Sequence, residues 1–148
     1  MGRRKKILNN SSITGRYVKL PYSVVNSDIW SKLSAPGVKL LSDLLTQYNG
    51  NNNGMMSPCH TLMKKRGWAS SSLYRANSEL QHKGFIVVTR QGMKIRGYPT
   101  LIAITWMGID EPIKNKFDEC IKPSNIPLNY WSKSKSCWKH KPTIKEVK

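Results

Sequence analysis

The stretch from Trp68 to Ile86, WASSSLYRANSELQHKGFI, concentrates the side chains that are suited to chemistry. On a helix, which turns about 100° per residue, its polar side chains share one face: Ser71, Tyr74, Arg75, Ser78 and His82. The apolar stripe lies opposite and consists of Leu73, Ala76 and Leu80. Hydroxyls contact phosphates and base edges closely, and a guanidinium can donate two hydrogen bonds to one guanine. The pattern therefore predicts a surface that binds nucleic acid.

Basic residues accompany this segment on both sides and also occupy the N-terminus. The complete set of predicted nucleic-acid contacts is Ser70, Ser71, Ser72, Tyr74, Arg75, Ser78, Lys64, Lys65, Arg66, Arg90, Lys94, Arg96, Arg3 and Arg4. Simpler readings stay open for five groups. Ser70 or Ser71 would then only cap the helix, and residues 64–66 would only complement a helix dipole. Arg75 and the basic loop between the strands would only be exposed surface, and the N-terminal arm would only add solubility.

The charge of the chain points to the same class of partner. Its 148 residues contain 25 Lys and Arg against 8 Asp and Glu, a net charge of +17 at pH 7. Such an excess attracts polyanions, of which nucleic acid is the first candidate. No stretch approaches the ~20 apolar residues of a membrane span, and the start lacks the apolar run of a secretory signal. We expect a soluble protein of the bacterial cytoplasm or nucleoid with no membrane partner.

The sequence gives little support to catalysis or metal binding. The carboxylates form no recognisable cluster of the kind that two-metal phosphoryl chemistry needs. Cys59 and His60 are adjacent, so on a helix their side chains point in different directions. Cys137 and His140 are three residues apart but lack a second close pair of ligands. Three cysteines also leave one unpaired, which favours a reducing compartment. We expect no enzymatic activity, no metal and no cofactor.

The periodicity predicts one domain over residues 17–110, between a basic arm at 1–16 and a basic tail at 111–148 with a short helix in EPIKNKFDEC. A short strand over residues 17–20 is followed by a short helix capped by Ser27 or Asn26. A longer helix begins at Ser34, and a second, SPCHTLMKKRG, places Leu62 and Met63 inward. A third helix ends at Gly84, and the strands Phe85–Thr89 and Thr100–Trp106 flank a basic loop.

This order of elements resembles a winged helix-turn-helix over residues 34–106. The similarity is to small DNA-binding proteins of bacteria, phages and plasmids and to the DNA-binding halves of GntR- and MarR-type regulators. It rests on the short second helix, the turn at Gly67, the third helix ending in LQHKGFIVV and the glycine-containing loop between the strands. The resemblance implies an α+β fold with residues 70–83 as a recognition helix in the major groove and the basic loop as the wing. Asn77 departs from the pattern, since its position in such helices is commonly apolar.

The function expected from these observations is sequence-specific binding of double-stranded DNA, by a small transcriptional regulator or an accessory factor of a mobile element. RNA or single-stranded DNA binding is the alternative, because Tyr130, Trp131 and Trp138 alternate with lysines in the tail. A role in plasmid or phage replication also stays open. Residues 17–33 lie outside the core motif, so they either form a homodimer interface or extend the domain.

Overall fold

The computed structural model describes residues 15–114 and 116–132 and shows an α+β chain. The helices come first: α1 (Tyr22–Val25), α2 (Asp28–Ser31), α3 (Ala35–Leu45), α4 (His60–Met63) and α5 (Ser70–His82). Strands β1 (Ile86–Arg90) and β2 (Leu101–Ile104) form a two-stranded antiparallel sheet. Short 3₁₀ helices cover Lys64–Arg66 and Tyr130–Ser132. The prediction of an α+β class is therefore confirmed.

Helix α3 forms where the capping signals predict it. Ser34 is the N-cap, and its hydroxyl accepts a hydrogen bond from the Gly37 amide at 3.2 Å. Pro36 lies in the first turn, where its missing N–H costs no intrahelical bond. The buried face of α3, which includes Leu40, Leu41 and Leu44, then packs against α5. Ser27 caps α2 in the same way, accepting from the Trp30 amide at 3.3 Å.

Helix α5 buries the apolar stripe that the sequence predicts, because Leu73, Ala76 and Leu80 are all covered. It ends just before Gly84, which has a positive φ of 81°. A side chain at this glycine would strain the backbone, and its Cβ would come within 2.7 Å of the Tyr130 carbonyl carbon. The chain therefore turns sharply from α5 into β1.

The sheet closes one side of the core. Ile86 pairs with Ile104 and Val88 with Ile102, and the register shifts between Val88 and Arg90. Phe85 lies just outside β1 and is completely buried. Its ring meets Trp30 and Trp106 edge to face, at centroid distances of 5.8 and 6.5 Å. Aromatic contacts of this geometry stabilise the junction of helix and sheet beyond simple burial.

Three local predictions are wrong. Residues 17–20 form no strand, because neither β1 nor β2 of the described residues pairs with them, and all four residues are exposed. The second helix is also shorter than predicted, because the chain tightens into the 3₁₀ turn Lys64–Arg66 before Gly67, whose φ is +83°. Met63 is buried as expected, but Leu62 points outward and is 50% exposed.

Much of the segment predicted as a tail contacts the domain. The Asp118 amide donates to the Thr89 carbonyl at 2.8 Å, and the Asn129 amide donates to the Thr105 carbonyl at 2.7 Å. Ile109 and Ser124 form an isolated antiparallel bridge, and Trp131 packs partly buried against the core. The helix predicted in EPIKNKFDEC is absent from residues 111–114 and 116–120.

Candidate nucleic-acid interface

The polar face of α5 points away from the protein interior. All the predicted contact residues on it are exposed: Ser70, Ser71, Ser72, Tyr74, Arg75 and Ser78. The N-cap is Ala69, and no side chain caps the first turn. The serines therefore do not act as caps. The first-turn amides stay available, which makes this helix end suited to an anionic group such as phosphate.

Glu79 is the acidic residue of α5, and it lies on the flank that faces α3. Its carboxylate accepts hydrogen bonds from the Ser34 amide at 2.9 Å, from the Ser34 hydroxyl, and from Lys83 Nζ at 2.8 Å. Burial by itself would raise the pKa of Glu79, but the hydrogen bonds from Lys83 and Ser34 outweigh it and hold the pKa below its ordinary value. The negative charge is thus compensated within the protein and directed away from the polar face.

The turn before α5 is fixed by a network around Asp43. This buried carboxylate accepts from Arg66 Nε at 2.7 Å, from the Trp68 indole at 2.7 Å and from Lys39 Nζ at 2.8 Å. Lys39 also lies over the Trp68 ring, 4.6 Å from its centroid. Arg66, predicted as a nucleic-acid contact, is therefore engaged with Asp43, whereas Lys64 and Lys65 beside it are exposed. The network positions those two lysines and the start of α5.

Arg90 requires a correction. The sequence placed it in the exposed basic loop, but its side chain is buried and the residue is 3% exposed. Its Nη2 donates to the Pro99 carbonyl at 3.0 Å, and its guanidinium lies 4.1 Å from the centroid of the Tyr98 ring. Arg90 therefore holds the two ends of the β1–β2 connection together, and Lys94 and Arg96 are the exposed cations of that connection.

A groove joins the flank of α5 to the base of the β1–β2 connection. It has a volume of about 220 Å³, and its lining includes Ser70, Tyr74 and Asn77 of α5 together with Cys59 and Thr100. The buried Asn77 Oδ1 atom has no hydrogen-bond partner. The residue as a whole is partly exposed, so Asn77 lies at the edge of the core and lines this groove. The groove makes the helix and the hairpin parts of one surface.

Several predicted residues lie outside the described part of the chain, namely Arg3, Arg4, Cys137, Trp138 and His140. Within residues 15–114 and 116–132, no group of three or more His, Cys, Asp or Glu side chains could hold a metal ion. No helix in the same residues is long and apolar enough to cross a membrane. No family model matches the chain, and no curated protein and no solved structure matches it either.

Proposed function

We propose that the protein binds double-stranded DNA in a sequence-specific manner, as a winged helix-turn-helix. Helix α5 is the recognition helix and lies in the major groove, and the β1–β2 connection is the wing that contacts the backbone or the minor groove. The observation that carries the proposal is the outward-facing polar side of α5, whose nearest carboxylate is already paired with Ser34 and Lys83.

The distribution of charge supports this assignment. Residues 58–106 contain eight basic residues and one acidic residue, Glu79. Arg66, Lys83 and Arg90 are engaged in internal contacts. The others are exposed and form no ion pair with the described residues: Lys64, Lys65, Arg75, Lys94 and Arg96. Because these cations lie on the turn, on the recognition helix and on the wing, they can reach phosphates on both sides of a groove.

The residues divide between sequence recognition and positioning. Arg75 projects from the exposed face of α5 and can contact guanine O6 and N7 with two hydrogen bonds. The serines of the first turn are short enough to approach phosphates and base edges, and the helix N-terminus adds amide donors. Lys64, Lys65 and Lys94 contact the backbone, which sets the register without reading sequence. A protein of this kind acts as a small transcriptional regulator or an accessory factor of a mobile element.

The test compares a base-reading residue with a backbone-contacting one. A preferred site is first selected from a random duplex pool, and affinities for that site and for bulk duplex are then measured at fixed salt. Arg75→Ala should weaken the selected site by about 1–3 kcal/mol more than bulk DNA, whereas Lys94→Ala should weaken both alike. Lys122→Ala, which removes an exposed lysine outside residues 58–106, is the matched control and should change neither.

Two results would contradict the proposal. Equal losses from Arg75→Ala on selected and bulk duplex would remove base recognition by α5. Tighter binding of structured RNA or single strands than of any duplex, in a competition at the same salt concentration, would favour the alternative function.

A further inference from the structure

The tip of the wing carries two large apolar side chains that are mostly exposed in the described structure. Met93 is 60% exposed and Ile95 is 65% exposed. They alternate with the exposed cations Lys94 and Arg96. Single exposed apolar residues are common on protein surfaces. Two of them on one hairpin tip, alternating with positive charges, indicate a binding partner that has anionic groups on its surface and apolar groups beneath them.

The tip is held in a defined conformation. The Met93 amide donates to the Tyr98 carbonyl at 3.0 Å, and the Tyr98 amide donates to the Ile95 carbonyl at 3.2 Å. The second of these bonds closes a four-residue β-turn over residues 95–98. Its third residue, Gly97, has a φ of +82°, which favours glycine at that position. Ordering the backbone of the tip on binding therefore costs less conformational entropy than in an open loop.

The neck of the hairpin is closed just as tightly. The Gly92 amide donates to Thr100 Oγ1 at 3.1 Å, and a Cβ at Gly92 would lie 2.5 Å from the Thr100 amide nitrogen. Arg90 ties the same region to Pro99 from within. Thr100 also lines the groove beside Ser70 and Tyr74, so the base of the hairpin adjoins α5.

We propose that Met93 and Ile95 act as a wedge that enters the minor groove and partly unstacks a base step, so that the protein bends its DNA. This inference rests on the proposed function. A minor groove is roughly 6 Å wide, so only the side chains at the tip would enter it and the rest of the hairpin would stay outside. The flat faces of the bases supply apolar surface, and the flanking phosphates pair with Lys94 and Arg96. Apolar wedges of this type bend duplexes by about 20–90°.

A lipid surface would also attract an apolar and basic tip, but the rest of this surface does not suit it. The neighbouring face of α5 presents serine hydroxyls and Arg75 rather than apolar side chains. Interfacial elements need a continuous apolar face to enter the acyl region. DNA satisfies both the hydroxyl-rich helix and the tip, so it is the occupant that the surface favours.

The experiment compares the wild-type chain with a Met93→Ser/Ile95→Ser double variant on duplexes selected as above. End-to-end energy transfer reports the bend, and 2-aminopurine placed along the site reports unstacking. Wild type should bend the duplex and raise 2-aminopurine fluorescence at one step. The double variant should still bind, about tenfold more weakly, with little bend and no local fluorescence rise. Ile95→Met, which keeps an apolar tip, should bend like wild type.

Matched controls separate the possible outcomes. Ile113→Ser removes another exposed isoleucine, 82% accessible, and should leave bending intact. Thermal unfolding midpoints should be equal for all variants because the replaced side chains are exposed. A wild type that binds without bending, or a double variant that bends equally, overturns the wedge but leaves duplex binding standing. A wild type that fails to bind duplex overturns the proposed function itself. Tip-dependent binding to vesicles of phosphatidylcholine and phosphatidylserine, without DNA bending, would assign the tip to a lipid surface instead.

Discussion

Replacing Asp43 by asparagine should destabilise the protein because a neutral amide cannot accept hydrogen bonds from all three of its donors. One carboxylate oxygen accepts from Arg66 at 2.7 Å, and the other accepts from Trp68 at 2.7 Å and from Lys39 at 2.8 Å. An amide has only one acceptor oxygen, so in either orientation one end presents an NH₂ group to a donor. The structure offers no orientation that satisfies all three partners.

The magnitude follows from the exposure of those partners. The side chains of Lys39 and Arg66 are about half exposed, at 51% and 47%. Each of these ion pairs therefore contributes at most about 1 kcal/mol. Trp68 is buried, so the amide oxygen should face Trp68 and Lys39, and the amide NH₂ group then faces Arg66 Nε, which loses its acceptor. Asp43→Asn should consequently lower the free energy of unfolding by about 1–2 kcal/mol near neutral pH.

The same network predicts a pH dependence. Burial would raise the pKa of Asp43, but hydrogen bonds from Lys39, Trp68 and Arg66 outweigh it and hold the pKa below its ordinary value. A carboxyl group with a lowered pKa in the folded state stabilises the protein above its unfolded pKa of about 4, and this contribution is lost as pH falls through the folded pKa. The difference in stability between wild type and Asp43→Asn should therefore shrink on acidification from pH 6 to pH 3.

Urea unfolding followed by circular dichroism measures both effects. Asp28→Asn serves as the control, because Asp28 is exposed in the first turn of α2 and its loss should change stability by less than about 0.5 kcal/mol. The reasoning fails if Asp43→Asn costs less than about 0.5 kcal/mol, or if its deficit stays constant between pH 6 and pH 3.

Three further substitutions test how α5 is held in place. Gly67→Ala, at φ +83° with open space around it, should lower the free energy of unfolding by about 1 kcal/mol. Gly84→Ala should lower it by about 2–4 kcal/mol, because its Cβ also meets the Tyr130 backbone at 2.7–2.8 Å. Equal losses for the two variants in urea unfolding would contradict the contact at Tyr130. Glu79→Gln should lower the free energy of unfolding by about 1 kcal/mol, because its hydrogen bonds with Ser34 are weakened, and should leave duplex affinity nearly unchanged. A change in duplex affinity of more than tenfold would place Glu79 at the interface.

Local signals made the helices of the core predictable. Ser34 and Pro36 mark the start of α3, and the spacing of Leu73 and Leu80 marks the buried side of α5. Gly67 punctuates the chain where a positive φ is needed. These features depend on neighbouring residues only, so a single sequence contains them.

The roles of individual arginines were not predictable in the same way. Arg66 is engaged by a carboxylate 23 residues away, and Arg90 is buried by the return of the chain at Tyr98 and Pro99. The sequence identifies Arg66 and Arg90 only as basic residues and does not show which internal partner each one has. Asp43 offered one usable signal, because a carboxylate within the apolar side of a helix needs a partner. The docking of residues 116–132 depends on pairings such as Asn129 with Thr105, which no local pattern specifies.

The most direct test of the central claim is the salt dependence of duplex binding by the unmodified chain. The exposed cations of the turn and the wing, Lys64, Lys65, Lys94 and Arg96, should neutralise about four phosphates, so log K should fall with log salt concentration with a slope of about −3 to −4. Lys94→Ala should reduce that slope by about 1. Failure of the chain to bind duplex DNA at low ionic strength, or a slope of log K against log salt concentration near zero, would contradict the assignment of this surface to DNA.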